Sequence, residues 1–420
     1  MRVLIINTSE RVGGAAIAAN RLMEALKKQG VKAKMLVRDK QTDRLTVVAV
    51  GQRWLQPIRF VWERICIFLA NGFSRKSLFL TDIANTGNDI TRHPEFVHAD
   101  VVHLHWTSQG FLSLSDIDRI MHSGKPVVIT MHDQWYFTGV CHYSADCERY
   151  TEECHHCPLM AGHLLGDVAR RVFRRKLRIY ADAPLTFVGC SQWMADLARR
   201  SPLTRGHRVV SIPNAIDTDL FRPTDQAEAR QALALPADKQ LLLFGCQRIT
   251  DPRKGFTLLV EALRLAVQEQ PNLADRICLV VVGGKTEDIS SLMPVKVIPI
   301  SYVSDPLQMV QLYNAVDAYV TPSLQDNLPN TIMEALACGT PCVGFRVGGI
   351  PEMIDHQQNG YVATYRDAQD FAEGIVWTLQ ADRDTLSRQA RNKVMVTYSE
   401  NAVARKYIDV YEVHPHHRHL

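Results

Sequence analysis

The chain has 420 residues, of which 46% are hydrophobic and 22% charged, with a formal net charge of +4. This length exceeds what one core comfortably holds, so two domains are expected, and the basic excess is too small to single out nucleic acid as a partner. No run reaches the ~20 apolar residues of a membrane-spanning helix; the nearest, residues 54–73, is interrupted by Pro57, Arg59, Glu63 and Arg64.

The opening apolar run, residues 3–6, reads as a buried first strand rather than a secretory leader. With no leader the cytoplasm is the expected compartment, where the ten cysteines serve as thiols or metal ligands rather than disulfides. The pair Gly13 and Gly14 then turns the chain into a helix with Ala16, Ala19, Leu22, Met23 and Leu26 on its apolar side. Further strands are expected at 35–38, 101–105, 127–131 and 186–190, each set between helical or turn-rich segments. A second series follows at 241–246, 277–282, 296–298, 318–320 and 342–345. Strands alternating with helices predict an α/β architecture of two doubly wound, mainly parallel sheets. The turn-rich residues 212–223 mark the junction, so the expected domains are 1–215 and 216–396. A final segment, 397–420, carries an amphipathic helix near 400–413 with Val403, Tyr407, Val410 and Tyr411 on one side. The His-rich end, 414–420, reads as a solvated tail.

Chemistry concentrates in residues 321–352. Asp326 and Glu334 stand eight positions apart around a turn and a helix start, with Gly339, Gly348 and Gly349 after them. Backbone amides at such a turn, with a fixed carboxylate, suit the phosphates and ribose of a nucleotide. Upstream, Arg248 closes a strand and Lys254 opens the helix 256–266, which puts both at the carboxyl end of a parallel strand, where doubly wound sheets bind ligands. There they could neutralise a pyrophosphate, although an Arg and a Lys six apart are by themselves ordinary surface charges. In the first half, His132 and Asp133 end the strand 127–131. Gly13 and Gly14 suit either close backbone approach to a phosphate or acceptor, or a plain strand-to-helix turn.

Residues 138–158 form a Cys-rich insert in which Cys141, Cys147, Cys154 and Cys157 are interleaved with His142, His155 and His156. Four soft ligands so close in sequence fit a tetrahedral structural zinc, but the spacing is no standard finger, and disulfides or free thiols fit it as well. Two further segments, 53–76 and 169–180, mix aromatic and aliphatic residues with Arg and Lys, as helices lying on anionic lipid do. Ordinary surface helices whose basic side chains snorkel read the same way.

The set R-x5-K-G, then P-S-x2-D-x-L-P-x-T-x2-E-A-x-A-x-G-x-P, then G-G-I-P-E resembles the retaining glycosyltransferases of family 4. The resemblance implies the GT-B architecture of two facing Rossmann-like domains, with a C-terminal helix returning to the first. It implies that Glu334 accepts hydrogen bonds from the ribose hydroxyls and that Asp326, where Glu is common in the family, holds hydroxyls of the donor sugar. Asn327, Leu328, Asn330 and Thr331 would line the donor phosphates, and His132 would face the sugar while Asp133 orients a ring or the acceptor. Arg248, Lys254 and helix N-termini would offset charge on the leaving diphosphate, so no cofactor is expected for catalysis beyond the nucleotide diphosphosugar, UDP- or GDP-linked. The Cys-rich insert is similar to that of enzymes of bacterial exopolysaccharide and colanic-acid assembly. A glycan or polyprenyl-linked saccharide is then the expected acceptor, met in the cytoplasm or peripherally on the inner face of the plasma membrane. An inactive sugar-nucleotide-binding scaffold and a GT-B-fold epimerase are the rival readings.

Overall fold

The computed structural model describes residues 1–51, 54–160, 166–248, 251–284 and 287–413; the side chains of 246–248, 284, 287 and 288 fall outside that description. The chain forms two compact units, Met1–Ala215 joined by Val403–Leu420, and Ile216–Ala402.

The first unit is built on seven parallel strands: β1 (Arg2–Ser9), β2 (Lys32–Asp39), β3 (Val47–Ala49), β4 (Val101–Leu104), β5 (Val127–Met131), β6 (Leu185–Gly189) and β7 (Arg208–Ser211), in the order β3-β2-β1-β4-β5-β6-β7. Each central strand is buried on both faces, which is why these strands read as near-continuous apolar runs. In β1, Val3 and Ile5 face the helix Gly14–Lys28 through Leu22 and Leu26, while Leu4 and Ile6 join the opposite cluster with Phe96 and Ile117. The C-terminal helix, Glu400–Glu412, returns to this unit and buries Val403, Tyr407, Val410 and Tyr411 in the core on the β1 Val3 side. Two hydroxyls anchor it: Tyr411 OH lies 2.8 Å from His103 Nδ1, and Tyr407 OH lies 2.8 Å from Thr130 Oγ1.

The second unit repeats the plan with β8 (Gln240–Arg248), β9 (Ile277–Gly284), β10 (Lys296–Ile300), β11 (Ala318–Thr321), β12 (Cys342–Phe345) and β13 (Gly360–Ala363), ordered β10-β9-β8-β11-β12-β13. All registered pairs in both sheets are parallel. In each unit the winding reverses beside the first strand, between β1 and β4 and between β8 and β11, and this switch point opens a crevice at the carboxyl ends. The strands β3, β7 and β13 went unread in the sequence. All three are short edge strands, and with one side unpaired they carry weaker apolar patterns. No described helix is long and apolar enough to cross a membrane.

Candidate functional site

In the second unit the predicted residues converge on the β8/β11 switch point. After β8 the chain enters the 3-10 turn Pro252–Lys254, and Gly255 follows in the left-handed region with φ +65°. A Cβ at Gly255 would sit 1.9 Å from the carbonyl oxygen of Pro322, so only glycine lets the β8 loop press against the β11 loop. That contact is fastened by the Leu324 N–H, which donates to the Arg253 carbonyl at 2.7 Å. The result brings together residues 72 positions apart: Lys254 Nζ donates to Asp326 Oδ2 at 3.1 Å, both groups partly open to solvent. The Asp326 loop is held from its other side at Gly348, φ +57°, where a Cβ would lie 1.7 Å from the Asp326 carbonyl oxygen. The Gly349 N–H donates to the Asn327 carbonyl at 2.8 Å.

Pro329 then caps the helix Asn330–Ala337, whose first turn carries no acidic residue. Its N-terminus therefore presents the positive end of the helix dipole next to the Lys254–Asp326 pair, an arrangement suited to an anion. Leu328 is buried beneath this turn, and Glu334, one turn further on, is only 8% exposed. Glu334 Oε2 accepts the Tyr313 hydroxyl at 2.9 Å, which fixes the carboxylate. Thr331 hydrogen-bonds Tyr319. The backbone of Arg248 ends β8 at the same crevice, but its side chain lies outside the described residues.

In the first unit, Gly13 is the N-cap of the helix Gly14–Lys28, with φ +91°, and a Cβ placed on it would meet nothing within 4 Å. His132 and Asp133 follow β5 directly but have separate partners. His132 Nε2 lies 2.8 Å from His105 Nδ1, and His132 Nδ1 lies 3.5 Å from Cys190 Sγ. Burial pushes His132 down to about 4 and holds His105 well below its ordinary range, so both rings are neutral at pH 7. Asp133 is engaged through both oxygens: Oδ2 with Trp106 Nε1 at 2.8 Å and His142 Nδ1 at 2.7 Å, and Oδ1 with the Trp135 N–H at 2.9 Å. Burial alone would raise the Asp133 carboxyl, but the His142 charge and these hydrogen bonds bring it below its usual value. For His142 burial works downward, and the Asp133 carboxylate overcomes it and raises the ring. Asp133 thus orients His142 and Trp106. Sequence reasoning missed His105, Trp106 and His142. The H-x-H-W run at the end of β4 was the available signal, since residues two apart on a strand point the same way.

The zinc expectation for Cys141, Cys147, Cys154 and Cys157 is corrected: no group of three or more His, Cys, Asp or Glu side chains among the described residues is placed to hold a metal. A zinc tetrahedron needs its sulfurs to converge on one point. Here all four are free thiols, and three of them have other engagements. Cys154 Sγ accepts the Gly139 N–H at 3.1 Å and is pushed up to about 12 by burial. Cys141 and Cys157 hydrogen-bond each other, which drives the Cys141 thiol up and Cys157 down to about 7. What organises the start of the insert is Lys176. It is fully buried, its ammonium donates to the carbonyls of Trp135, Thr138 and Gly139 at 2.5, 3.1 and 3.2 Å, and it lies 3.4 Å from the Trp135 ring centroid.

Comparison with known proteins follows the same division. The Glycosyltransferase Family 4 model matches residues 12–220, and the model for glycosyl transferases group 1 matches 238–381. A D-inositol 3-phosphate glycosyltransferase of Saccharomonospora viridis is 32% identical over 216 residues, 48% of this chain and 49% of that protein. The chain spans about half the length of the first curated relatives it matches. Among solved structures, sucrose-phosphate synthase from Thermosynechococcus elongatus superposes with a TM-score of 0.65 at 18% identity, covering 98% of each chain. HepE of Anabaena, solved with UDP and glucose, superposes with a TM-score of 0.62 at 15% identity, covering 98% of this chain and 100% of that one. Identities this low speak for the fold, which is GT-B. With one glycosyltransferase family model over most of each unit and a GT-B fold, this protein belongs to the group 1/family 4 glycosyltransferases.

Proposed function

We propose that this protein transfers a sugar, with retention, from a nucleotide diphosphosugar to a hydroxyl of a glycan or lipid-linked saccharide in bacterial surface polysaccharide assembly. The observation that carries the reading is the meeting of Lys254, Asp326 and the N-terminus of the helix Asn330–Ala337 at one switch point, with Glu334 fixed one turn inside. In this role Lys254 and the helix dipole offset the charge that grows on the departing diphosphate. Asp326 holds hydroxyls of the sugar, and Glu334 accepts hydrogen bonds from the ribose. Arg248 joins Lys254 on the phosphates, and Asn327, Leu328, Asn330 and Thr331 shape the phosphate turn. Gly13 and Gly14 let the backbone come close to the substrate. From the first unit His132 contributes as a neutral imidazole held by His105 and Cys190, and Asp133 contributes indirectly by setting the Trp106 and His142 rings. The bond from the anomeric carbon to the diphosphate breaks and one to the acceptor oxygen forms. The acceptor proton passes to the departing phosphate on the same face.

UDP-glucose is the first donor to try, because HepE is solved with UDP and glucose. A phosphorylated polyol is a second acceptor reading, favoured by the relatives named D-inositol 3-phosphate glycosyltransferases. A lipid-linked acceptor would place the enzyme peripherally on a membrane, and a Cys-rich insert next to His132 would shape the acceptor side.

The test is a saturation-transfer and thermal-shift screen of UDP, GDP, ADP and their sugar conjugates on the wild type and on Lys254→Ala. A nucleotide-specific response that weakens in the variant is expected. Silence across the panel would overturn the donor reading, and tight binding without turnover on any acceptor would favour the inactive scaffold.

A further inference from the structure

The helix Leu55–Ala70 is amphipathic the wrong way round for a helix that faces water. Its buried side carries Gln56, Glu63 and Arg64 beside Ile67 and Ala70. Its solvent side carries Trp54, Ile58, Val61, Trp62 and Ile65, exposed by 70, 57, 51, 54 and 43%. These positions fall at helical spacing on a single stripe, and the segment after the helix extends it with Phe73 and Phe79, 58 and 60% exposed. Isolated exposed apolar residues need no explanation, but a contiguous stripe with two tryptophans marks an interaction surface.

The face is built rather than frayed. The buried Arg64 Nη2 donates to Glu63 Oε2 at 2.8 Å and to Asp82 Oδ2 at 3.3 Å, and its Nη1 donates to the Leu78 carbonyl at 2.7 Å. Glu63 Oε1 and Asp82 Oδ1 both accept the Ala84 N–H, at 3.1 and 2.9 Å. Phe79 stacks on Phe60 with ring centroids 6.5 Å apart, and the Arg64 guanidinium lies within 6.0 Å of both rings. The buried hydrogen bonds of Arg64, Glu63 and Asp82 fix this side of the helix inward and so hold the apolar groups outward.

We propose that this stripe docks the protein onto an anionic lipid surface, with the helix lying in the plane of the headgroups. The charge on the face selects this occupant. From residue 54 to 81 the sole acid is Glu63, which is buried, whereas Arg75 and Lys76 are exposed. Tryptophans at the rim and basic residues beside an apolar stripe are what an interfacial helix needs. A second copy would instead set like charges against each other. The other basic segment does not compete: in the helix Val168–Tyr180 the apolar Val172, Phe173, Ile179 and Tyr180 are buried in the core, and Arg170 and Arg174 pair with Glu153. The inference rests on the glycosyltransferase reading only for its purpose, the meeting with a lipid-linked acceptor.

The experiment is co-sedimentation of the full chain with vesicles of phosphatidylcholine alone and of equal parts phosphatidylcholine and phosphatidylglycerol. Binding to the anionic vesicles is expected. Ile58→Glu with Trp62→Glu should weaken it about tenfold or more by putting charge into the apolar boundary. Arg75→Glu with Lys76→Glu should weaken it about fivefold or more per residue at low salt, with the difference fading at high salt. All four positions are at the surface, so the melting temperature should hold, and nucleotide binding should be unchanged, which separates failure here from failure of the donor reading. Absence of vesicle binding, binding equal in wild type and variants, or a dimer in light scattering that Ile58→Glu with Trp62→Glu dissolves would each overturn the proposal.

Discussion

Replacing Glu334 by Gln tests the donor site with the least disturbance to the fold. The carboxylate is nearly buried and accepts the Tyr313 hydroxyl at 2.9 Å. Gln keeps an oxygen for that hydroxyl, so unfolding free energy should change by less than about 1 kcal/mol. What it loses is the charge that strengthens hydrogen bonds from two ribose hydroxyls. A bond to a charged partner contributes about 1 kcal/mol more than a neutral one, so two bonds should cost ~2 kcal/mol. Nucleotide affinity should then fall by roughly thirtyfold. Glu334→Ala goes further, because it strands the Tyr313 hydroxyl and should also cost ~1–3 kcal/mol of stability. Calorimetric titration with the nucleotide found in the screen reads the first effect, and denaturant unfolding reads the second. If Gln leaves affinity unchanged while Ala lowers only stability, Glu334 is a partner for Tyr313 and the ribose assignment is wrong.

Gly348→Ala should shift the Asp326 loop, since its Cβ would meet the Asp326 carbonyl at 1.7 Å and φ is +57°. A cost of ~1–3 kcal/mol in stability is expected, with affinity for the sugar conjugate falling more than that for the bare nucleotide; equal losses would free Asp326 from the sugar. Tyr411→Phe should cost ~1–3 kcal/mol in urea unfolding by leaving the buried His103 Nδ1 without its partner; no change would mean that the return helix is held by packing alone. Burial depresses His103 to about 3 and His132 to about 4. Folded, both stay neutral, while the unfolded chain takes up protons near its ordinary histidine value. Their stability is therefore present above about pH 6.5 and is lost as pH falls toward about 4, by on the order of 1.4 kcal/mol per pH unit for each ring. Unfolding curves across that window should steepen this way in the wild type and flatten in His132→Asn; parallel slopes would show that His132 is not neutral when folded.

Much of the fold was legible because fully buried strands leave an unmistakable mark. The runs at 127–131 and 342–345 coincide with β5 and β12, and other central strands were placed to within a few residues. The edge strands β3, β7 and β13 were not, since burial on fewer sides leaves less apolar patterning. The site was legible as residue types at fixed spacing, but partners were not. His142 read only as a residue interleaved with the cysteines, and its pairing with Asp133 was not visible. The four cysteines read as a candidate zinc set because they are close in sequence, yet no three His, Cys, Asp or Glu side chains among the described residues are placed to hold a metal.

Sequence alone determined the local chemistry of this protein: two strand–helix series, a lysine after β8, and two acids around a turn before a helix. The strands, the lysine and the acids follow from short-range constraints, namely burial periodicity and helix capping, whereas the collisions that require Gly255 and Gly348 are with the distant Pro322 and Asp326 and belong to the tertiary structure. Tertiary structure decided which distant groups meet. Lys254 reaches Asp326 because parallel crossovers bring the ends of β8 and β11 side by side. It also decided which of two similar basic segments shows its apolar side to solvent: 169–180 buries it, and 54–73 leaves it exposed. A helix has two faces of its own, and only the neighbour it packs against determines which of them meets water.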